Sequence, residues 1–236
     1  MTAIHLFGGE KGGVGKSFVC KTAIAYHLKQ KIDCVPFDAD RSNADVLRIY
    51  GEAAGVQTAI LSEGEDFDTA ANAIFNTALG GRRVLVNLPA QAMPALSLWF
   101  DSNEVLEMAD DADVSFFSWF VSDCGVDSLA LFEQLLDKFD DRMRHVFVAN
   151  YGMTKKWELF TQNEALIARM KKLRVTVIRF PKFVGRDDRN RINQLSLTFE
   201  QVQESDAFDA FGRQHVKSFL KAAFAQFDAT GVFDGE

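Results

Sequence analysis

The sequence predicts an α/β fold, a mostly parallel sheet with helices on both faces, and three observations carry that expectation. Short apolar runs alternate with segments of helical period along the whole chain. A stretch rich in glycine and bearing two lysines, Glu10-Lys11-Gly12-Gly13-Val14-Gly15-Lys16-Ser17, follows directly on the first apolar run. No low-complexity linker or internal repeat divides the 236 residues, a length that suits one domain over 1–236 rather than two. In such a sheet a ligand is expected at the carboxyl ends of the strands.

The elements follow in order. Ala3-Ile4-His5-Leu6-Phe7 sits in a buried strand over 3–8, and Phe18, Val19, Ala23, Ile24 and Leu28 recur with helical spacing over 16–30. Further strands are expected at 33–38, 84–88, 114–121, 144–150 and 175–180, and helices near 43–50, 67–79, 126–139, 158–172 and 206–227. Asn43 is placed to cap the second helix. Most of the 22 phenylalanines read as packing, with a dense run at Phe116, Phe117, Trp119 and Phe120. His5 in a strand and His27 on a helix read as structural.

The lysine-bearing stretch is a phosphate loop with one departure. The usual pattern is G-x-x-x-x-G-K-[ST]. Gly15, Lys16 and Ser17 supply its second half, Glu10 stands where the first glycine belongs, and a second lysine, Lys11, precedes two glycines. Gly12, Gly13 and Gly15 admit backbone angles that turn successive N–H groups toward phosphate oxygens. The following helix adds its positive end. Lys16 can reach β- and γ-phosphates and the Ser17 hydroxyl can bind Mg²⁺. Val14 and Phe18, within and just beyond the loop, count with the binding residues.

This loop resembles the deviant Walker A motif, K-G-G-x-G-K-[ST], of the ParA/MinD family of P-loop ATPases. The resemblance implies a P-loop NTPase fold, ATP and Mg²⁺ as ligands, and a homodimer that forms with ATP. It also implies that Lys11 crosses the dimer interface to the partner's nucleotide, where a triphosphate between two protomers draws cations from both. Asp38 and Asp40 close the second strand, and two carboxylates two residues apart share a side in extended geometry, here toward the loop. By resemblance Asp38 belongs to the magnesium shell and Asp40 positions the attacking water. Val84-Leu85-Val86 runs into Asn87 where the family's Walker B segment ends in Asp. An amide oxygen still accepts hydrogen bonds, but the charge is gone. Two readings stay open: Mg²⁺ affinity or turnover is reduced, or Asp38 and Asp40 suffice. Asn150 and Pro181 follow later strands at the places where the family flanks the adenine. Gly185-Arg186-Asp187, Leu197-Thr198-Phe199-Glu200-Gln201 and Met93-Pro94-Ala95-Leu96-Ser97 are similar to the TraL-type ATPases of conjugative plasmids.

Charge and composition narrow the function classes. The net charge is −7, but residues 1–150 hold 12 basic and 22 acidic side chains and residues 151–236 hold 14 and 11. Nine basic residues fall between Arg169 and Arg191, a run able to hold a phosphate backbone, so nonspecific DNA is a candidate partner. Three scattered cysteines suit reduced thiols in a cytoplasmic setting and do not form a metal or disulfide framework. No apolar stretch reaches spanning length, and the terminal Asp234-Gly235-Glu236 argues against a membrane-positioning role. The expected function is a slowly hydrolysing, ATP-dependent dimerising switch in partitioning, cargo positioning or conjugative transfer, stimulated by a partner protein. The alternative is a non-hydrolysing ATP-binding module, with Asn87 as the cause.

Overall fold

A computed structural model describes residues 2–62, 71–154 and 156–234. Its centre is a seven-stranded sheet of β1 (Thr2–Gly8), β2 (Val35–Asp38), β3 (Gln57–Thr58), β4 (Val84–Asn87), β5 (Val114–Ser122), β6 (Arg144–Asn150) and β7 (Thr176–Phe180). All the pairings are parallel and the spatial order is β3-β2-β4-β1-β5-β6-β7. The helices are α1 (Lys16–Gln30), α2 (Asp45–Ala54), α3 (Asn72–Leu79), α4 (Met93–Ser102), α5 (Val105–Asp111), α6 (Val126–Phe139), α7 (Glu158–Thr161), α8 (Glu164–Lys172), α9 (Arg186–Leu195) and α10 (Ala210–Thr230).

Helices cover both faces, so the strands are apolar on both sides and read as continuous hydrophobic runs. Alternate residues of β1 and β5 enter two separate cores. Ile4, Leu6, Phe116 and Phe120 pack beneath α3, α4, α5, α6 and α8. Ala3, Phe7, Phe117, Trp119 and Val121 pack beneath α1, α2, α9 and α10. The dense aromatic run of the sequence is thus β5, which lies beside the central β1 and feeds both cores. The last helix also belongs to the second core: Val216, Phe219, Ala223 and Phe227 are buried, and Phe233 stacks on Trp119 at 5.1 Å. The apolar face of α10 is consumed inside the protein, and among the described residues no helix is long and apolar enough to cross a membrane.

The expected strands and most expected helices are present, with four differences. The helix expected over 158–172 is two, because the Asn163 side chain accepts the Leu166 N–H at 3.0 Å and starts α8 afresh. The helix expected at 67–79 is observed from Asn72, and residues 63–70 lie outside the described residues. The two-residue β3 and helices α4, α5 and α9 carry no expectation from the sequence. Asn43 does not cap α2: the residue preceding that helix is Ala44, and the cap comes from Asp38, described below.

His5 and His27 are core residues. Trp119 Nε1 donates to His5 Nδ1 at 3.0 Å. His27 Nδ1 lies 2.8 Å from the Ala23 carbonyl, and its Nε2 faces an Arg83 N–H at 3.3 Å. Arginine only donates, so Nε2 accepts and Nδ1 carries the proton. Burial pushes the His27 pKa down to about 3. Between that value and about 6.5 the unfolded chain holds a proton that the folded one does not. Stability is therefore complete above pH ~6.5 and falls as the pH drops, by at most about 1.4 kcal/mol per unit from this group. Urea unfolding should show the wild type losing its advantage over His27→Gln between pH 6.5 and 4.5. A constant difference across that range would remove His27 as the cause.

Candidate nucleotide site

The loop between β1 and α1 lies at the carboxyl ends of the strands. Gly9, Gly13 and Gly15 take positive φ values of 143°, 77° and 99°. Two of them are fixed by neighbours as well as by angle. A Cβ on Gly9 would stand 2.6 Å from the Val121 carbonyl oxygen, and one on Gly15 would stand 2.6 Å from Asn150 Nδ2. The chain turns into α1 at Gly15, whose carbonyl accepts the Val19 N–H at 3.0 Å. No side chain caps α1, so its first N–H groups are left for the concavity of the loop.

A cavity of about 410 Å³ opens over this turn. Gly12, Gly13, Gly15, Lys16, Ser17 and Phe18 line one side, Asp40, Ser42, Asn43, Asp45 and Ala90 another, and Arg189, Asn190 and Asn193 of α9 close it. The Lys16 side chain is mostly buried, and its Nζ donates to the Lys11 carbonyl at 3.2 Å. Burial lowers its pKa, opposed by the charges of Asp40 and Glu10. Phe18 also packs edge-on against Phe180, Phe183 and Phe199, which ties the first turn of α1 to the second core. Val14 is buried beneath the loop, with its carbonyl held by Asn150.

Glu10, the residue at the missing-glycine position, has a structural explanation. Its carboxylate accepts the Met93 N–H at 3.2 and 3.3 Å, at the positive start of α4, and its carbonyl accepts the Gln91 N–H at 3.1 Å. Burial raises its pKa, opposed in part by the Met93 N–H and the charge of Lys16. Glu10 thereby joins the loop to the segment that follows β4.

The two aspartates do not share a face, contrary to the expectation. Asp38 is 3% exposed and turned toward α2. Its Oδ2 accepts the N–H groups of Val46 and Leu47 at 3.0 and 2.9 Å, and its Oδ1 accepts from Asp40 N at 3.2 Å and from Asn87 Nδ2 at 2.9 Å. Asp40 lines the cavity, with Oδ1 accepting from Ser42 N, Ser42 Oγ and Asn43 N at 3.1, 2.6 and 3.1 Å. The strand ends at Asp38, so strand alternation no longer governs Asp40.

Asn87 is fully buried, and its Oδ1 has no hydrogen-bond partner among the described residues. A buried acceptor left open this way calls for a donor. With the Ser17 hydroxyl and Asp40 on the cavity wall, the site offers hard oxygen groups of the kind a hydrated Mg²⁺ takes. The residues present fit that ion.

The remaining candidates lie apart from the cavity. Lys11 Nζ pairs with Asp123 Oδ2 at 2.8 Å, and that bond raises the lysine pKa. Asn150 and Pro181 are neighbours at the ends of β6 and β7, where Tyr151 N donates to the Phe180 carbonyl at 2.9 Å. The Asn150 amide is engaged within the protein: Nδ2 donates to the Val14 carbonyl at 2.7 Å, and Oδ1 accepts the Gly152 N–H at 3.0 Å. The basic run from Arg169 to Arg191 is divided. Lys172 and Arg174 line a separate cavity with Arg144, at the amino ends of β5 to β7, while Arg189 lines the loop cavity at the opposite end. Arg169 is paired with Asp137 at 2.6 Å.

Sequence reasoning missed Glu10's partner, the buried Lys21, and α9. Lys21 is held by Asp45 and by Asn193 Oδ1, and Arg48 binds the Asn193 carbonyl at 2.7 Å, so α2 and α9 are fastened to α1 on the cavity rim. A lysine one turn after Ser17 was the available signal.

No family model matches the chain. A curated relative, protein MobD of Acidithiobacillus ferrooxidans, is 26% identical over 160 residues, which cover 67% of this chain and 68% of that protein. Among solved structures, MinD in the MinC:MinD cell division complex of Aquifex aeolicus is similar with a TM-score of 0.51 and 14% identity, over 94% of this chain and 95% of that one. MinD from Aquifex aeolicus on its own gives a TM-score of 0.49 over 94% and 96%. The parallel sheet and the glycine loop at the carboxyl end of its central strand agree with the first of these structural likenesses: the chain has an α/β P-loop fold similar to that of MinD.

Proposed function

We propose that the protein is an ATP-dependent switch that binds Mg-ATP in the loop cavity, dimerises with it and hydrolyses it slowly. The observation that supports this most is the joint placement of Gly13, Gly15, Lys16, Ser17 and Asp40 around one cavity at the start of α1. In this reading the loop N–H groups and Lys16 hold the phosphates, and Asp40 orients the attacking water. Ser17 would help hold Mg²⁺, which would supply positive charge against the phosphates. Asn150 and Pro181 flank the base, with the second N–H of the Asn150 amide as donor. Lys11 serves the nucleotide of a second copy, and a partner protein stimulates turnover. The resemblance to ParA/MinD and TraL-type ATPases supports a role in partitioning, positioning of a cargo or conjugative transfer. Members of the basic run stand at both ends of the sheet, and DNA binding is left out of the proposal.

Steady-state ATP turnover with and without Mg²⁺ tests it, with Asp40→Ala as the control. The expected result is slow, Mg²⁺-dependent turnover that falls at least about 100-fold in Asp40→Ala. Tight Mg-ATP binding with no turnover above that control would favour a binding-only module. The uncharged Asn87 is the observation behind that second reading.

A further inference from the structure

We propose that Arg189 is a further phosphate-binding residue, whose guanidinium contacts the phosphate chain of a bound nucleotide from the wall that α9 adds to the cavity. The proposal rests on the nucleotide-switch reading and adds to it a cation from outside the glycine loop.

The argument begins with what holds α9 in place. Of its ten residues only Ile192 is buried, so apolar packing does little to seat it. Polar ties do so at both ends. Near its start the Asp188 carboxylate meets His215 Nδ1 of α10 at 2.7 Å. Two glycines make room for that pair. A Cβ on Gly185 would stand 2.6 Å from both Asp188 Oδ2 and His215 Nδ1, and one on Gly212 would stand 3.0 Å from Asp188 Oδ1. Near its end, Lys21 Nζ donates to Asn193 Oδ1 at 3.3 Å and Arg48 donates to the Asn193 carbonyl at 2.7 Å. Arg48 also reaches the Ser196 hydroxyl just past the helix. The helix is thereby fixed against α1, α2 and α10.

Arg189 lies between these ties. It precedes Asn193 by four residues, so the two share a face of α9, and both line the loop cavity. Arg189 is half-buried, and it also borders a small apolar cavity with Phe18, Ile49 and Tyr50, where its aliphatic stem has neighbours. Among the described residues its guanidinium has no hydrogen bond, ion pair or ring contact. The charged groups around it do have partners: Lys21 and Arg48 share Asp45, and Asp188 holds His215. Arg189 is therefore a positioned cation left open toward the cavity.

The charge of the cavity wall says what such a cation is for. Lys16, Lys21, Arg189, Asp40 and Asp45 line it. Lys21 and Asp45 are paired with each other. Lys16 and Arg189 then stand against Asp40 alone, an excess of one positive charge that disappears without Arg189. An excess of that sign draws an anion into a cleft. A guanidinium stays charged at any physiological pH, and its planar fork matches two phosphate oxygens at once.

ATP affinity in the presence of Mg²⁺, read by isothermal titration, tests the contact. Arg189→Ala should lose about 10- to 150-fold. Arg191→Ala is the comparison: it removes the same charge from the same helix, but two residues further on the side chain is exposed and points away from the cavity. Its affinity should stay within about twofold of the wild type. An Arg189→Ala loss no larger than that of Arg191→Ala overturns the proposal, since general charge would then account for it. Should Arg189→Ala not fold, Arg189→Gln decides by the same comparison. A wild type that binds no ATP ends the switch reading and this contact with it. A wild type that binds ATP beside an unaffected Arg189→Ala ends this contact alone.

Discussion

Lys16→Ala should lose about 10- to 150-fold in ATP affinity while the nucleotide-free protein melts no lower than the wild type. The two halves have one cause. Lys16 is 7% exposed, its pKa is lowered chiefly by burial, and its Nζ donates to the carbonyl of Lys11 at 3.2 Å. A neutral carbonyl is a poor partner for a buried ammonium, so the nucleotide-free protein bears a desolvation cost at this position. Alanine removes that cost along with the cation, which is why stability is retained. A triphosphate is the partner that offsets it, and a charge-assisted contact of this kind is worth about 1.5–3 kcal/mol, the larger figure corresponding to roughly 150-fold in affinity. Isothermal titration and a thermal melt on the same preparations give both numbers. Unchanged ATP affinity would place the phosphates elsewhere and remove the loop cavity as the site.

How far the sequence discloses this site depends on the range of each interaction. The loop is legible because its glycines and its lysine act within a few residues of one another. The same loop hides Glu10, which reads as a damaged motif until its carboxylate is found on the backbone of Met93, 83 positions away. The fold class is legible because both cores draw on alternate residues of the same apolar strands, which leaves long hydrophobic runs. Helix α9 is not, since among its ten residues only Ile192 is buried, and periodicity has nothing to register. Yet α9 brings Arg189 and Asn193 to the cavity. Helix α4 offered a signal in Pro94, which sits in its first turn. The Asp-x-Asp pattern misleads for a geometric reason. Strand alternation applies only while the strand lasts, and β2 ends on Asp38. One carboxylate turns to cap α2, and the other follows the turn into the cavity. The substitution at position 87 could be seen in the sequence, but its bond to Asp38 could not, because that depends on which way Asp38 faces.

Lys11→Ala should bind ATP with an affinity within a few fold of the wild type yet fail to dimerise with it. In the monomer Lys11 does not touch its own cavity. Its side chain is 43% exposed, and its ammonium pairs with Asp123 just past the end of β5. A lysine placed there adds little to its own nucleotide, so its loss costs little in cis. If it serves a second copy, it has to leave Asp123 first. A pair this exposed is weak, a barrier that a triphosphate's charge readily exceeds. Two variants then move in opposite directions. Lys11→Ala removes the cation from the interface and should weaken the ATP-bound dimer by at least about 100-fold. Asp123→Asn releases the lysine and should strengthen the same dimer by up to about fivefold, with the monomer's own ATP affinity unaltered. Sedimentation velocity with ATP, in an Asp40→Ala background that preserves the nucleotide, separates these outcomes. A Lys11→Ala protein that dimerises like its parent would make the lysine a solvated loop residue tied to Asp123. A dimer weakened by Asp123→Asn would mean that the ion pair orders the loop for association rather than restraining it.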